Sequence, residues 1–329
     1  MKTRRQWLIA LGASAVAAPW PSWAQQRPVN VSRIGFLGAT SIAGYKSRVE
    51  AVRAGLRDLG YVEGKNLAIE FRWADGMYDR LPSLAAELVR LKVDVIVTGG
   101  TPGTRAAKQA TTTIPIVMAV SGDAVATGLI SSLARPGGNI TGTTYFDPEL
   151  HAKRLELLKE AVPRATRLGV LINPNNPQTM GTTLQFIRVA AESLRLKLSI
   201  FEARSPNEFE HIFSAMVESR VDAMAMADDG MFLANLRAIA DIAANKRLPS
   251  TGAKEFAEAG GLMGYGVDFD QTYYRAAYFV DRILKGAKPG DLPVEQPPRF
   301  ELVINTKTAA VLGLTVPQSL LQRADKLVQ

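Results

Sequence analysis

Short, nearly continuous apolar runs alternate along this chain with stretches in which apolar residues return every three or four positions. That is the pattern of buried strands separated by amphipathic helices. Val31-Ser32-Arg33-Ile34-Gly35-Phe36-Leu37 predicts a first strand, and Val49, Val52, Leu56 and Leu59 a helix that Gly60 is placed to end. Leu67-Ala68-Ile69-Glu70-Phe71-Arg72-Trp73 predicts a second strand, Leu81, Leu84, Leu88 and Leu91 a second helix, and residues 93–98 and 114–118 two further strands. Strand and helix in this order imply parallel βαβ units with right-handed crossovers. From Arg167-Leu168-Gly169-Val170-Leu171-Ile172 the alternation starts again. Strands are expected at 198–202, 221–226, 248–251 and 261–267, with helices between them, one running from 231 to 245 and one from 270 to 285. The second half therefore echoes the first, and Phe300-Glu301-Leu302-Val303-Ile304 adds a last strand.

The run Val93-Asp94-Val95-Ile96-Val97-Thr98 passes directly into Gly99-Gly100-Thr101-Pro102-Gly103-Thr104, a strand flowing into a helix start. The free N–H groups of that turn, with the Thr101 and Thr104 hydroxyls, can hold a carboxylate or another small anion. Close packing of strand on helix explains the glycines equally well, and both readings stand. The turn lacks the Lys-Ser/Thr ending of a P-loop and the spacing of a dinucleotide fingerprint, so it suits a small polar group rather than a nucleotide.

Ligands of such sheets sit beyond the carboxyl ends of the strands. In the first half this nominates Thr40, Ser41, Thr98, Gly99, Gly100, Thr101, Ser121, Asp123, Thr141 and Thr143. In the second half it nominates Asp228, Asp229, Tyr265 and Asp268. One half offers N–H and hydroxyl donors and the other carboxylates, a polarity suited to a zwitterion bridging them. Asp228 or Asp229 also reads as a plain helix cap, and Tyr265 as a core tyrosine whose hydroxyl reaches the surface.

Composition narrows the chemistry. The chain of 329 residues is long enough for two domains and has no Cys, which removes disulfides, thiol nucleophiles and cysteine metal sites. His151 and His211, the two histidines, fall where exposed amphipathic helices are expected, so neither a catalytic histidine network nor a metal centre is predicted. Residues 1–24 have the three parts of an export signal: Lys2, Arg4 and Arg5, then an apolar core through Ala18, then Ser22-Trp23-Ala24 as a cleavage site. Thr3-Arg4-Arg5-Gln6-Trp7-Leu8 resembles a twin-arginine signal, with Trp where Phe is usual. The apolar core is shorter than the roughly 20 residues that span a bilayer, so a soluble periplasmic chain without membrane insertion is expected. Loss of that segment lowers the formal charge from +8 to about +5, with basic and acidic residues interspersed, which argues against nucleic-acid binding.

The layout, with Arg33-Ile34-Gly35-Phe36-Leu37, Arg135-Pro136-Gly137-Gly138-Asn139-Ile140-Thr141-Gly142, Asn173-Pro174-Asn175-Asn176-Pro177 and Glu301-Leu302-Val303-Ile304-Asn305, resembles the ABC-transporter substrate-binding proteins related to the tryptophan/tyrosine-type uptake component. The resemblance implies a type I periplasmic binding protein: two Rossmann-like α/β lobes of parallel sheet flanked by helices and joined by hinge strands. Lobe 1 is expected over 28–143 and 270–289, lobe 2 over 144–269 and 290–329. It also implies a small amino acid ligand, aromatic or branched, delivered to an inner-membrane permease with its ATPase, and neither catalysis nor a cofactor. The resemblance also places the loop carrying Asn173, Asn175 and Asn176 in the cleft; on this reading the 98–101 turn takes the ligand's carboxylate, Asp229 meets its positive group and Tyr265 covers its apolar part. Asp228-Asp229-Gly230 departs from the Asp-Asn pair associated with the amino-acid-binding members. The rivals are a sensor that docks to a receptor and an exported α/β hydrolase. Against the hydrolase stand the missing Cys, the lack of a well-placed His and the absence of a G-x-S-x-G elbow.

Overall fold

Runs of Val, Ile and Leu without polar interruption are stable as strands only where both faces are covered, and the covering here is helical. The computed structural model describes residues 31–145, 147–176 and 179–329. In the first lobe the order is β1 (Ser32–Gly38), α1 (Lys46–Asp58), β2 (Leu67–Trp73), α2 (Leu81–Arg90), β3 (Val95–Gly99), α3 (Gly100–Ala110), β4 (Ile116–Val120) and β5 (Ile140–Gly142). The second lobe begins with α4 (Asp147–Ala161), β6 (Arg167–Ile172), α5 (Leu184–Ser193), β7 (Lys197–Glu202), α6 (Phe209–Glu218) and β8 (Ala223–Met226). It continues through α7 (Gly230–Leu233), α8 (Leu236–Asn245), β9 (Ser250–Gly252), α9 (Lys254–Glu258) and β10 (Met263–Gly266). Then come α10 (Phe269–Leu284), β11 (Glu301–Asn305), α11 (Thr306–Val311), α12 (Gln318–Arg323) and β12 (Lys326–Val328).

The first sheet runs β2-β1-β3-β4-β5 and is parallel throughout. The second runs β12-β11-β10-β9-β8-β6-β7, parallel except where β11 returns antiparallel to β10. β1 lies between β2 and β3, and β6 between β7 and β8, so each sheet has a switch point where successive crossovers leave on opposite sides and open a crevice.

The chain crosses between lobes more than once. After β10 it returns to the first lobe as α10, whose Tyr273, Ala276, Ala277 and Val280 share a core with Ile34, Phe36, Tyr45 and Val49. α1 and α10 lie so close that a Cβ on Gly55 would meet the Tyr274 carbonyl at 2.5 Å and the Ala277 methyl at 2.8 Å. The tail then runs beside the first crossing: the Glu295 N–H donates to the Gly142 carbonyl (2.9 Å) and the Thr144 N–H to the Glu295 carbonyl (2.9 Å). Arg275 clamps that crossing through two hydrogen bonds to the Glu295 carboxylate, at 2.8 and 2.7 Å.

Two expectations change. The helix expected over 231–245 is two helices, α7 and α8, broken at Ala234 and Asn235, where the Asn235 side-chain amide donates to the Met231 carbonyl (2.8 Å). His151 is not on an exposed face: it is 3 % exposed, on the buried side of α4 with Leu150, Arg154 and Leu155, whereas His211 is exposed. The expected export signal at 1–24 lies outside the described residues. Among the described residues no helix is long and apolar enough to cross a membrane.

Phe36 sits at the centre of an aromatic group, with ring centroids 5.4–6.3 Å from Trp73, Phe71, Tyr45 and Tyr273. Phe36→Ala is expected to cost about 3–5 kcal/mol of folding free energy, measured by urea unfolding with an unchanged slope.

Candidate functional site

Both switch points open onto one cavity between the lobes. From the first lobe it is lined by Ala39 after β1, by Gly99, Gly100, Thr101 and Pro102 at the β3–α3 turn, and by Val120, Ser121 and Gly122 after β4. From the second come Asn176 after β6 and Asp228, Asp229 and Gly230 after β8. Tyr45, Arg48, Tyr78, Tyr145, Leu233, Phe269 and Tyr273 complete the wall. About 50 Å³ is open to the centre of a water-sized sphere, room for about three or four waters, so the lobes stand closed over it.

Asp229 holds that closure. Its carboxyl is 2 % exposed and accepts from the Asn173 amide (3.1 Å), the Asn176 amide (3.0 Å) and the Met231 N–H (3.0 Å), the last capping α7. The Tyr78 hydroxyl reaches it from the first lobe, 2.9 Å from each oxygen. Burial pushes the Asp229 pKa up, and the hydrogen bonds from Asn173, Tyr78, Asn176 and Met231 oppose that rise. Tyr78 is itself pushed well above the usual phenol range by burial and by the facing Asp229.

Asp228 is held differently. Arg154, 1 % exposed, grips it through two nitrogens at 2.7 and 3.1 Å and also donates to the Tyr265 carbonyl at 2.6 Å. The Tyr145 hydroxyl adds a contact at 3.3 Å. A buried carboxylate matched by a bidentate guanidinium is a rigid wall with its charge already compensated.

The remaining wall is aromatic. Tyr45 and Tyr273 meet edge to face at 6.0 Å, Tyr145 and Phe269 at 6.3 Å, and these rings frame the β3–α3 turn. Gly99 is required there because a Cβ would collide with the Tyr273 hydroxyl.

Of the residues nominated from the sequence, Gly99, Gly100, Thr101, Ser121, Asn176, Asp228 and Asp229 line this cavity, and Asn173 supports it through Asp229. The Thr101 and Ser121 hydroxyls lie 3.2 Å apart. Several others carry structural work. The Thr98 hydroxyl bonds that of Thr104 at 2.8 Å, tying β3 to α3. Ser41 accepts the Gly44 N–H at 3.4 Å, and Asp123 caps its own turn through the N–H groups of Val125 and Ala126. Thr141 donates to the Leu292 carbonyl at 2.8 Å. The Thr40 hydroxyl is buried with no hydrogen-bond partner among the described residues and does not line the cavity. Asn175 faces a separate groove with Tyr78, Asp79 and Arg204.

Tyr265 and Asp268 stand apart from the ligand roles expected of them. The Tyr265 ring packs on Phe300 at 5.9 Å outside the cavity, because β10 turns that side chain toward the tail. Asp268 caps α10 through the Gln271 N–H (3.0 Å) and pairs with Lys254 at 2.6 Å. With Thr143 it lines a second hollow beside the crossings. The aromatic part of the cavity wall is instead Tyr45, Tyr145, Phe269 and Tyr273. None of these was singled out beforehand, nor were Arg48, Tyr78 and Arg154. A sequence signal did exist for the two arginines: each interrupts the apolar stripe of its helix, Arg48 beside Val49 and Val52, Arg154 beside Leu150 and Leu155.

This is the geometry of a bilobal binding protein whose site is made by facing loops rather than by either lobe alone. The model of the ABC transporter substrate binding protein family matches residues 34–328, and the chain belongs to that family, which is extracytoplasmic and non-catalytic. The chain is 28 % identical over 263 residues to a tyrosine-binding protein of Clostridioides difficile (strain R20291), covering 79 % of this chain and 74 % of that one. Its fold is similar to an ABC domain in complex with L-Trp from Streptococcus pneumoniae, with TM-score 0.81, 26 % identity and coverage of 91 % and 100 %. It is also similar to the ligand-free, open structure of a substrate-binding protein with adhesive properties from Clostridium difficile, with TM-score 0.62, 25 % identity and the same coverage of 91 % and 100 %.

Glu255, the second residue of α9, accepts the Phe269 N–H at 3.1 Å through one oxygen, while the other is buried without a hydrogen-bond partner among the described residues. The residue as a whole is half-buried, but burial of its carboxyl raises the pKa from 4.5 to about 7, with the Arg48 charge opposing the rise. The folded chain therefore keeps this proton to higher pH than the unfolded chain. Stability is expected to fall as pH rises from about 4.5 to about 7 and to level off above. Thermal melts should show Glu255→Gln more stable than the parent at pH 8, with the difference vanishing at pH 4.

Proposed function

We propose that this chain is the periplasmic binding component of an ABC importer and that it captures an aromatic amino acid between its lobes. The observation that carries this reading is the interlobe cavity itself: five aromatic side chains, Tyr45, Tyr78, Tyr145, Phe269 and Tyr273, surround a wall that also presents Gly100, Thr101, Ser121 and Asp228. Rings supply a flat apolar slot, and the polar groups orient the backbone end of the ligand. The curated relative described as tyrosine-binding and the relative solved with L-Trp support the same ligand class.

The ligand acts by choosing between two arrangements. It enters when the lobes part at the crossings near 143–145, 266–268 and 294–300, and it favours the closed form only through contacts that both lobes make at once. Tyr78 on Asp229 is the built-in contact of that kind. The better match to the L-Trp complex than to the open, ligand-free relative supports a closed arrangement here. The export signal expected at 1–24 supports delivery outside the cytoplasm, and the closed surface is what a permease and its ATPase would read.

Calorimetry with a panel of free L-amino acids is expected to give dissociation constants of about 1 μM or tighter for one or more aromatic members and far weaker binding elsewhere. No heat from any aromatic member, with a folded chain, would overturn the reading. Tyr78→Phe should weaken the best ligand by about tenfold, the worth of one charge-assisted hydrogen bond present only in the closed form, without reordering the panel.

A further inference from the structure

Two arginines are buried beside the cavity, and their surroundings differ. Arg154 is fully engaged, with two nitrogens on Asp228 and a third on a backbone carbonyl. Arg48 is 6 % exposed and lines the cavity, yet its hydrogen bonding amounts to one long contact, 3.5 Å from Nη1 to the Gly44 carbonyl. Among the described residues no carboxylate oxygen comes within ion-pair distance of it. It is positioned by rings: its guanidinium carbon lies 5.1 Å from the centroid of Tyr45 and 5.5 Å from that of Phe269.

A guanidinium keeps its charge at any accessible pH and carries five N–H donors in a fixed fork. Buried and unmatched it is costly, and rings compensate only part of that cost. The neighbouring acids do not fill the gap. Asp228 is neutralised by Arg154, Asp229 is occupied by Tyr78, Asn173, Asn176 and Met231, and Glu255 spends one oxygen on Phe269 and feels the Arg48 charge only from beyond ion-pair distance. Among the described residues the cavity wall thus holds one cation whose fork has no carboxylate within ion-pair distance.

We infer that Arg48 binds the ligand's carboxylate, and that the site selects aromatic carboxylates, with the carboxylate a stricter requirement than the ammonium. This rests on the proposed binding of a small ligand between the lobes. It moves the anion from the β3–α3 turn alone to a fork contributed by α1, with Gly100 and Thr101 lining the same cavity. Asp228, already paired, contributes only a secondary attraction for an ammonium group.

The test uses three ligands with the same ring: L-tryptophan, indole-3-propionate, which lacks the ammonium, and tryptamine, which lacks the carboxylate. Calorimetry on the parent should rank both carboxylates at least about 30-fold tighter than tryptamine, as expected where a buried charge would lose its partner. Arg48→Gln should weaken both carboxylates by about 30-fold or more while leaving tryptamine within about threefold. Arg48→Lys, which keeps the charge and loses the fork, should fall between them. Thermal melts confirm that the variants are folded, and if Arg48→Gln is not, Arg48→Lys alone must still weaken the carboxylates selectively. Tryptamine binding as tightly as L-tryptophan to the parent, or an equal loss on all three ligands in the variants, would overturn the assignment. Indole-3-propionate binding through Arg48 while every amino acid fails would instead overturn the amino acid reading and leave this one standing.

Discussion

A single buried carboxyl ties the two halves together. Asp229 sits at the end of β8, and its own lobe supplies three of its donors, Asn173, Asn176 and the Met231 N–H. The fourth, the Tyr78 hydroxyl, belongs to the turn between β2 and α2 in the other lobe. With burial raising its pKa, the group tolerates its position only while those donors are present. Any separation of the lobes would take away Tyr78 and let water in, and closure would restore the set. The state of the cleft and the solvation of one side chain are therefore the same variable.

The site is continuous with the core of the first lobe. Phe36 on β1 touches Tyr45 and Tyr273, and those two rings are also cavity wall. Tyr273 belongs to α10, which reaches the first lobe only after the chain has passed through the second. Packing that stabilises the lobe thus also sets the width of the slot, and Gly99 is small because the Tyr273 hydroxyl occupies the place a side chain would take. Arg48 is stacked on Tyr45 and Phe269 by the same arrangement, so its fork is aimed by rigid neighbours rather than by its own flexible stem.

Parts of the site were legible beforehand because they obey a local rule. Ligand loops in a parallel sheet follow strand ends, and that rule found Gly99 to Thr101, Ser121, Asp228 and Asp229, while the family resemblance added Asn176. The same rule also gathered Thr98, Asp123, Thr141 and Asp268, whose polar groups are consumed within the fold. A short polar side chain at a strand end serves a backbone turn as readily as a ligand, and spacing alone does not separate the two. Tyr265 illustrates the limit: it stands at a strand end as expected, but its ring turns onto Phe300, a neighbour distant in sequence.

The amino acid sequence by itself determined most of the elements, the mainly parallel pairing of the strands and the duplication of the pattern, because apolar periodicity and crossover handedness act over short separations. It also carried a marker for both buried arginines, a charge set into an apolar helical stripe. Only the tertiary structure decided which charges cancel. Arg154 meets Asp228 across 74 residues and Tyr78 meets Asp229 across 151, while among the described residues no carboxylate comes within ion-pair distance of Arg48. Electrostatic pairing in a buried space depends on distances of a few ångströms between elements remote in sequence, and no periodicity encodes those distances.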